Sequence, residues 1–486
     1  MSRLRATLFA TAALAVLAGC ASGPDYERPA VPMPATFSAA KATLPAGEAD
    51  PADRRWWQAF GDPALDALVE AAVAGNRNLR VAVARVQEYE ARAGTVAADR
   101  YPTLGYRAGA GRERMSEQRA IPLPLGVSPT NNQFEGGLSA RWELDLWGRL
   151  KRADEAAMAE LLSAEEARRG VVLTLVTEVA TGYATLLRLD AELAALDAQA
   201  ALHDEKLRLQ ALMVAGGSAT ELVVERTRAD LAFNRAIASR VLRARDETEN
   251  ALNFLAGRPA GPIPRGRTFA ELQPPGVPGG LPSDLLQRRP DVRQAEQDLI
   301  AANARIGIVK SRFLPSISLT AAFGAASTSL SNLTLRSANT GLLGVELLGT
   351  LFDFGRLEGE VKVVEAQRLQ LAEAYAAAAA QALREVEDAL VAGSRSAERS
   401  SADQRRVQAL QRVAALQRAR ESGGSATALD VLGADLEAGE AAMDALQARH
   451  DGIAASIALF KAMGGGWIDL AAPAPQAAAS AAGAQP

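Results

Sequence analysis

No proline interrupts residues 148–215, and none interrupts residues 356–421. Gly170 and Gly182 are the only glycines inside the first stretch, Gly359 and Gly393 the only ones inside the second. In the first, Met158, Leu161, Leu162, Leu175, Val179, Leu186, Leu193 and Leu196 recur at spacings built from threes and fours. Acids and arginines fill the other faces, which is the pattern of an amphipathic helix. Continuous helix over such a stretch is about 100 Å long at about 1.5 Å per residue. A rod of that length does not curl into a compact domain; it pairs with another or lines up as a stave. Aromatic residues make up only 5% of the chain and alanine is abundant, which suits long helices better than an aromatic-rich core.

The two stretches belong to a duplication. GGSAT stands at 216–220 and again at 423–427. At the same offset Gly148-Arg149-Leu150 falls on Gly355-Arg356-Leu357, Glu178-Val179 on Glu385-Val386, and Gly257 on Gly464. Upstream the offset grows by six: Arg92, Gly94 and Val96 fall on Arg305, Gly307 and Val309, and Pro102 on Pro315. A fixed offset over so long a span marks two copies of one unit. The length change lies between Pro102 and Gly148, where an exposed loop would absorb it. The copies are residues 62–257 and 284–464. Proline-rich segments bracket them, with six prolines from Pro24 to Pro51 and seven from Pro259 to Pro282. The tail, 465–486, is rich in Ala, Pro and Gln and reads as disordered.

After each GGSAT the helical pattern resumes, through Leu222, Val223, Leu231 and Leu242 and through Leu429, Val431, Leu432 and Leu436. GGSAT is therefore the bend of a helical hairpin: glycine takes the left-handed backbone that ends one helix, and Ser or Thr caps the next. The tips span 215–221 and 422–430.

Between Pro102 and Gly148 the period changes to two. Phe134, Leu138, Ala140, Trp142, Leu144 and Leu146 alternate with Glu135, Ser139, Arg141, Glu143 and Asp145; Leu104, Tyr106, Ala108 and Ala110 alternate with Gly105, Arg107 and Gly109. The second copy repeats this with Ile317, Leu319, Ala321 and Phe323, and less cleanly with Leu343, Val345, Leu347 and Leu351. The expected strands are about 103–113, 134–146, 316–326 and 341–352. Strands of about ten residues with one apolar and one polar face suit a membrane barrel. Tyr101, Trp147, Phe313 and Phe354 stand at the strand–helix junctions, as an interfacial girdle would. Four strands cannot close a pore, and open edges in lipid cost several kcal/mol per unpaired group. The chain must oligomerise. Two copies would supply eight strands, a barrel filled by its own side chains; three would supply twelve, wide enough for a lumen.

The start of the chain reads as an export signal, residues 1–19. Arg3 and Arg5 precede a short apolar run that ends in Leu17-Ala-Gly-Cys20. This matches the lipoprotein box, in which Cys20 becomes the lipidated first residue. Ala21 follows, not the Asp associated with inner-membrane retention. Removing Arg3 and Arg5 takes the formal charge from −4 to −6, and no uninterrupted apolar run long enough for a transmembrane helix remains.

Several functions are disfavoured. The slight negative charge does not suggest a nucleic-acid partner. Two histidines, His203 and His450, and one cysteine leave almost no ligands for a zinc site, and each histidine reads as a surface or packing residue. No Gly-rich run precedes Lys-Ser/Thr, so nucleotide phosphates have no cradle. No catalytic constellation is evident, and the chain is read as having no enzymatic activity and no cofactor beyond a covalent lipid on Cys20.

The residues resemble the outer-membrane factors of tripartite efflux systems, TolC-like proteins, and more particularly the OprM/NodT-type lipoprotein branch. The resemblance rests on LAGC, PDYERPAVPMP, WWQAFGDPALDALV, ELDLWGRL with its counterpart LFDFGRLEG, LQRRPDVRQAE, RFLPSISL and both GGSAT bends, and it covers nearly the whole mature chain. It implies a mainly α fold with a β-barrel part. Two tandem repeats would supply long α-helical hairpins to a periplasmic α-barrel, and four strands per chain to a trimeric 12-stranded transmembrane β-barrel. Residues 20–61, 258–283 and the tail would form an equatorial belt. It implies a passive exit duct in the outer membrane for small toxic compounds or metal ions, lipid-anchored and extending into the periplasm. The implied partners are sister chains in a homotrimer, a periplasmic adaptor protein and an inner-membrane transporter of the proton-driven resistance-nodulation-division type. Polypeptide secretion of type I is the alternative within the family, and a periplasmic coiled-coil scaffold lipoprotein the alternative of another class.

By the same resemblance the bends Gly216, Gly217, Ser218, Ala219, Thr220 and Gly423, Gly424, Ser425, Ala426, Thr427 form the periplasmic mouth where the adaptor docks. Leu429 and Asp430 narrow the resting tunnel. Three Asp430 carboxylates near one axis would repel, until a proton, cation or arginine relieved them. The family often carries a second acid one turn later; here Gly433 stands there, which puts a double acidic ring in doubt. Arg420 and Glu421 read as a solvated face, with a salt bridge between neighbouring hairpins as the alternative.

Overall fold

A computed structural model describes residues 22–38, 55–118, 128–273 and 282–465, together with 120, 121, 123, 124 and 126 of one loop. The signal segment, Cys20 and the tail beyond 465 lie outside the described residues. Helices α1 (Pro63–Gly75) and α2 (Arg77–Ala98) lead into strands β1 (Thr103–Arg114) and β2 (Thr130–Leu144). Helices α3 (Arg149–Ala215) and α4 (Glu221–Leu255) come next, and then a helical turn at Leu285–Arg288. The second copy runs α5 (Pro290–Ser311), β3 (Ser316–Ser327), β4 (Asn339–Leu348), α6 (Arg356–Ser422) and α7 (Ala428–Ala462). The duplication is kept to the residue: α3 and α6 each have 67 residues, α4 and α7 each 35, and α2 and α5 each 22.

The chain divides into two compact units. One gathers residues up to 30, 85–164 and 295–375; the other gathers 31–84, 165–294 and 376 onward.

The first unit holds the sheet, antiparallel throughout in the order β1-β2-β3-β4. Its register puts Tyr106 opposite Leu138, Leu138 opposite Phe323, and Trp142 opposite Leu319, which faces Val345. Directly opposed residues share a face, so one face is apolar across all four strands. That face is open: Tyr106 is 87% exposed and Leu343 86%. The other face carries Thr103, Arg107, Glu135, Ser139, Arg141, Ser318, Thr320 and Glu346, with Arg107 paired to Glu135 at 2.7 Å. Gly137 and Gly324 oppose each other on it, and a Cβ on either would come within 2.9 Å of the other's Cα. The fourth strand stops at Leu348 rather than near 352, leaving Leu351 and Phe352 beyond it. Its partner β3 begins only after Pro315, which has no N–H for the ladder, and Gly349 packs on that ring.

Both long helices start from a left-handed glycine, Gly148 (φ 74°) and Gly355 (φ 86°). An aspartate caps each: Asp145 accepts from the N–H groups of Leu150 (3.0 Å) and Lys151 (2.8 Å), Asp353 from Gly355 (3.0 Å) and Leu357 (2.9 Å). The aspartate lies one residue nearer the glycine in the second copy, and Phe354 absorbs the difference with a φ of 55°. The chain start straps this unit. Arg28 grips the buried Glu296 with two bonds of 2.6 and 2.7 Å, and Tyr26 adds a third. Arg152 reaches Asp25 at 2.7 Å. Where the strap crosses α5, a Cβ on Gly307 would stand 2.4 Å from the carbonyl of Ser22.

The second unit holds the main core. Leu65, Val69, Val176, Val179, Tyr183, Leu186, Leu252, Phe269, Ile453 and Ile457 are buried together, and Trp56 stacks on Phe460 at 5.2 Å. Among the described residues one helix, α3, is long and apolar enough by composition to cross a bilayer; its residues Val172, Val176, Val179, Tyr183 and Leu186 belong to this core. Asp62 organises the site where the first proline-rich bracket meets the repeat. It is fully buried and caps α1 through the N–H of Ala64 (2.9 Å). It also accepts from the Tyr183 hydroxyl (2.8 Å) and the N–H of Arg267 (3.0 Å). Arg289 is likewise buried, bound to Asp291, to Glu385 and to the carbonyl of Ala462. The FGDP and RRPDV motifs thus act as clasps that tie the inter-repeat segments to the helices.

Candidate functional site

The two bends have one backbone design. In the first, the N–H of Gly216 bonds the carbonyl of Leu212 (2.9 Å), that of Gly217 bonds Val214 (3.0 Å), and that of Ser218 bonds Met213 (2.9 Å). In the second, Gly423 bonds Ala419 (3.2 Å), Gly424 bonds Glu421 (2.9 Å), and Ser425 bonds Arg420 (2.8 Å). Gly217 and Gly424 sit at φ 71° and 76°, the left-handed conformation that a side chain resists. Each serine hydroxyl doubles its own N–H on the same carbonyl, at 3.0 Å in the first bend and 3.2 Å in the second. Ala219 and Ala426 are half-buried in the turn. That accounts physically for the repeated glycine and serine of the pentapeptide.

The bends differ in how the next helix is capped. Thr220 leads α4 with no side-chain bond. Thr427 leads α7 with a closed capping box: its Oγ1 accepts from the N–H of Asp430 (3.3 Å), and the Asp430 carboxylate accepts from the N–H and hydroxyl of Thr427 (both 2.8 Å). These bonds, led by the backbone one, hold Asp430 below the usual carboxylate range, and the Arg420 guanidinium adds to the effect. Arg420 stays exposed and also bonds the carbonyl of Ser425 at 3.1 Å. Leu429 is half-buried beside the exposed Asp430. Position 433 has room: a Cβ there would meet nothing within 4 Å. The box is legible in the chain as T-x-x-D, a local signal independent of the charge that drew attention to Asp430.

The flanks differ as well. Leu212 and Leu222, 60% and 75% exposed, stand on either side of the first bend. Arg418, Arg420 and Glu421 stand at the second, with Arg418 ion-paired to Asp435. His203 and His450 lie on hairpin helices. Burial is the main cause that pushes both imidazoles below their usual value.

A family model described as outer membrane efflux protein matches residues 68–258 and 281–465. The chain belongs to the outer membrane efflux protein family. It is 34% identical to the solvent efflux pump outer membrane protein SrpC of Pseudomonas putida, over 94% of this chain and 97% of that one. It is 32% identical to the cation efflux system protein CusC of Escherichia coli, over 93% and 96%. Among solved structures, one of CusC superposes with a TM-score of 0.80 at 30% identity, covering 92% of this chain and all of the other. The open-state MtrE channel of Neisseria gonorrhoeae gives 0.80 at 26%, covering 92% and 99%. This family member is an outer-membrane efflux channel: a passive duct and not an enzyme. The family needs no cofactor, and among the described residues no group of three or more His, Cys, Asp or Glu is placed to hold a metal ion.

Proposed function

We propose that three copies of this chain close a twelve-stranded barrel in the outer membrane and a twelve-helix tunnel across the periplasm. The tunnel is gated at the helical tips. The observation that carries the reading is the sheet: a whole apolar face lies exposed, and β1 and β4 are both unpaired edges within the chain. In lipid such edges must find partners, and β4 of one copy against β1 of the next supplies them around a ring. Lipidation at Cys20 adds an anchor. The cargo is a small toxic compound or metal ion, as the names of the relatives suggest for those proteins. Energy comes from an inner-membrane transporter of the proton-driven resistance-nodulation-division type through an adaptor, which docks on the two GGSAT bends.

At the gate, Leu429 and Asp430 narrow the mouth. Asp430 then has two roles, cap and ring charge, and two variants separate them. Asp430→Ala removes both, whereas Thr427→Ala removes only the threonine hydroxyl's bonds from the cap and leaves the charge, still bonded by the N–H of residue 427. The reading expects larger single-channel conductance in planar bilayers for Asp430→Ala and wild-type conductance for Thr427→Ala. Equal opening by both assigns the closure to the cap, and no opening by either removes Asp430 from the gate.

A further inference from the structure

His450 of α7 packs against α3. Thr185 of α3 spends its only hydroxyl hydrogen on the carbonyl of Thr181 (2.9 Å), so its oxygen can only accept from His450 Nε2, 3.0 Å away. The neutral ring therefore carries its hydrogen on Nε2. That leaves Nδ1 bare; it is buried and has no hydrogen-bond partner. The nearest carboxylate oxygen, Asp451 Oδ1, lies at 3.9 Å, beyond bonding reach. Asp451 is already held by Gln447 on α7 (2.7 Å) and by Arg399 on α6 (3.0 Å), and Arg399 also faces Asp403 at 3.4 Å. The bond from His450 of α7 to Thr185 of α3 thus ties the second hairpin to the first, while the neighbouring Asp451 is bonded to α6 within its own hairpin.

We propose that His450 is a proton-sensitive tie between the two helical hairpins, closed when the imidazole is neutral and loosened when it takes up a proton.

The surroundings give the sign. Arg188 of α3 faces the ring, itself ion-paired to Glu192. Glu178 of α3 and Glu247 of α4 line the groove beside Thr185, with Glu247 3.8 Å from Arg243. Arg449 of α7 is turned away onto the carbonyls of Ala270 and Leu272. Asp451 is the acid that faces Nδ1, and two donors already share it. Burial first, and Arg188 second, outweigh Asp451 and hold the imidazole below its usual value. A depressed histidine stabilises nothing extra at neutral pH, where it is neutral in both states. As pH falls through the usual imidazole range, the opened state binds the proton first and the packed state loses stability. The tie therefore weakens on acidification.

Backbone hydrogen exchange on the detergent-solubilised full-length protein tests this, at about pH 7.5 and about pH 5 with rates corrected for intrinsic chemistry. Peptides covering 181–190, 395–405 and 445–455 are expected to exchange about threefold faster, or more, at the lower pH. In His450→Gln, whose amide still donates to Thr185 but cannot be protonated, that acid response is expected to vanish. His203→Gln serves as the control and is expected to keep it. An undiminished acid response in His450→Gln, or none in the wild type, overturns the proposal. Should His450→Gln fail to fold, the wild type still decides. With two histidines in the whole chain, a 13C-histidine titration yields one resonance for each, and a His450 midpoint at or above the usual imidazole value refutes it.

Discussion

At the residue scale the two bends form an internal experiment. They share GGSAT and its hydrogen bonds, and only the second has a closed capping box. Replacing an N-cap threonine that bonds the helix start weakens its first turn, while replacing one that makes no such bond does little. Thr427→Ala is therefore expected to speed amide exchange at 428–431 about fivefold, against less than about twofold at 221–224 for Thr220→Ala. Equal effects at the two bends would contradict the assignment. The box is also acid-labile. Asp430 is held below the usual carboxylate range, so its contribution is complete above that range and is lost as pH falls through the lowered value. Asp430 shows what single residues conceal in a sequence. Its charge and position are visible there, but the hydrogen bonds that occupy the charge depend on the backbone turning at Gly424.

At the scale of elements the sheet is the most legible part. Alternation at 104–110, 134–144 and 317–323 forecasts which residues share a face, and the register puts the apolar ones on one side; the second strand runs Thr130–Leu144 rather than 134–146, so Leu146 lies beyond it. The ends are less legible. Where β4 stops depends on a proline in its neighbour, and no periodicity within residues 341–352 reports that. The apolar face makes a sharp expectation. Val345→Arg, 71% exposed on that face, should cost about 2–4 kcal/mol near mid-membrane and deplete the assembled form from outer-membrane fractions. Ser139→Arg on the opposite face should assemble normally. Equal assembly of both would show that the apolar face does not meet lipid. The long helices are legible for a different reason: their length is set by an absence of proline and by a repeat that fixes both ends. Their pairing is not. Arg28 with Glu296 and Asp62 with Arg267 join residues that only the folded chain brings together. FGDP and YERP are recognisable as motifs without revealing what they clasp.

At the scale of the whole molecule one principle orders the rest: the chain is a fraction of a wall. Each copy of the repeat brings one hairpin of staves and two strands, and neither repeat alone nor the pair can close a ring or cover the sheet's edges. The exposed apolar face and the exposed flanks of α4 and α6 are the features of a part made to meet its own kind. The most direct measurement is native mass spectrometry of the mature protein, extracted from outer membranes in mild detergent. Three copies per particle are predicted, with no stable single chain. A folded monomer, or a ring of any other number, would contradict the account.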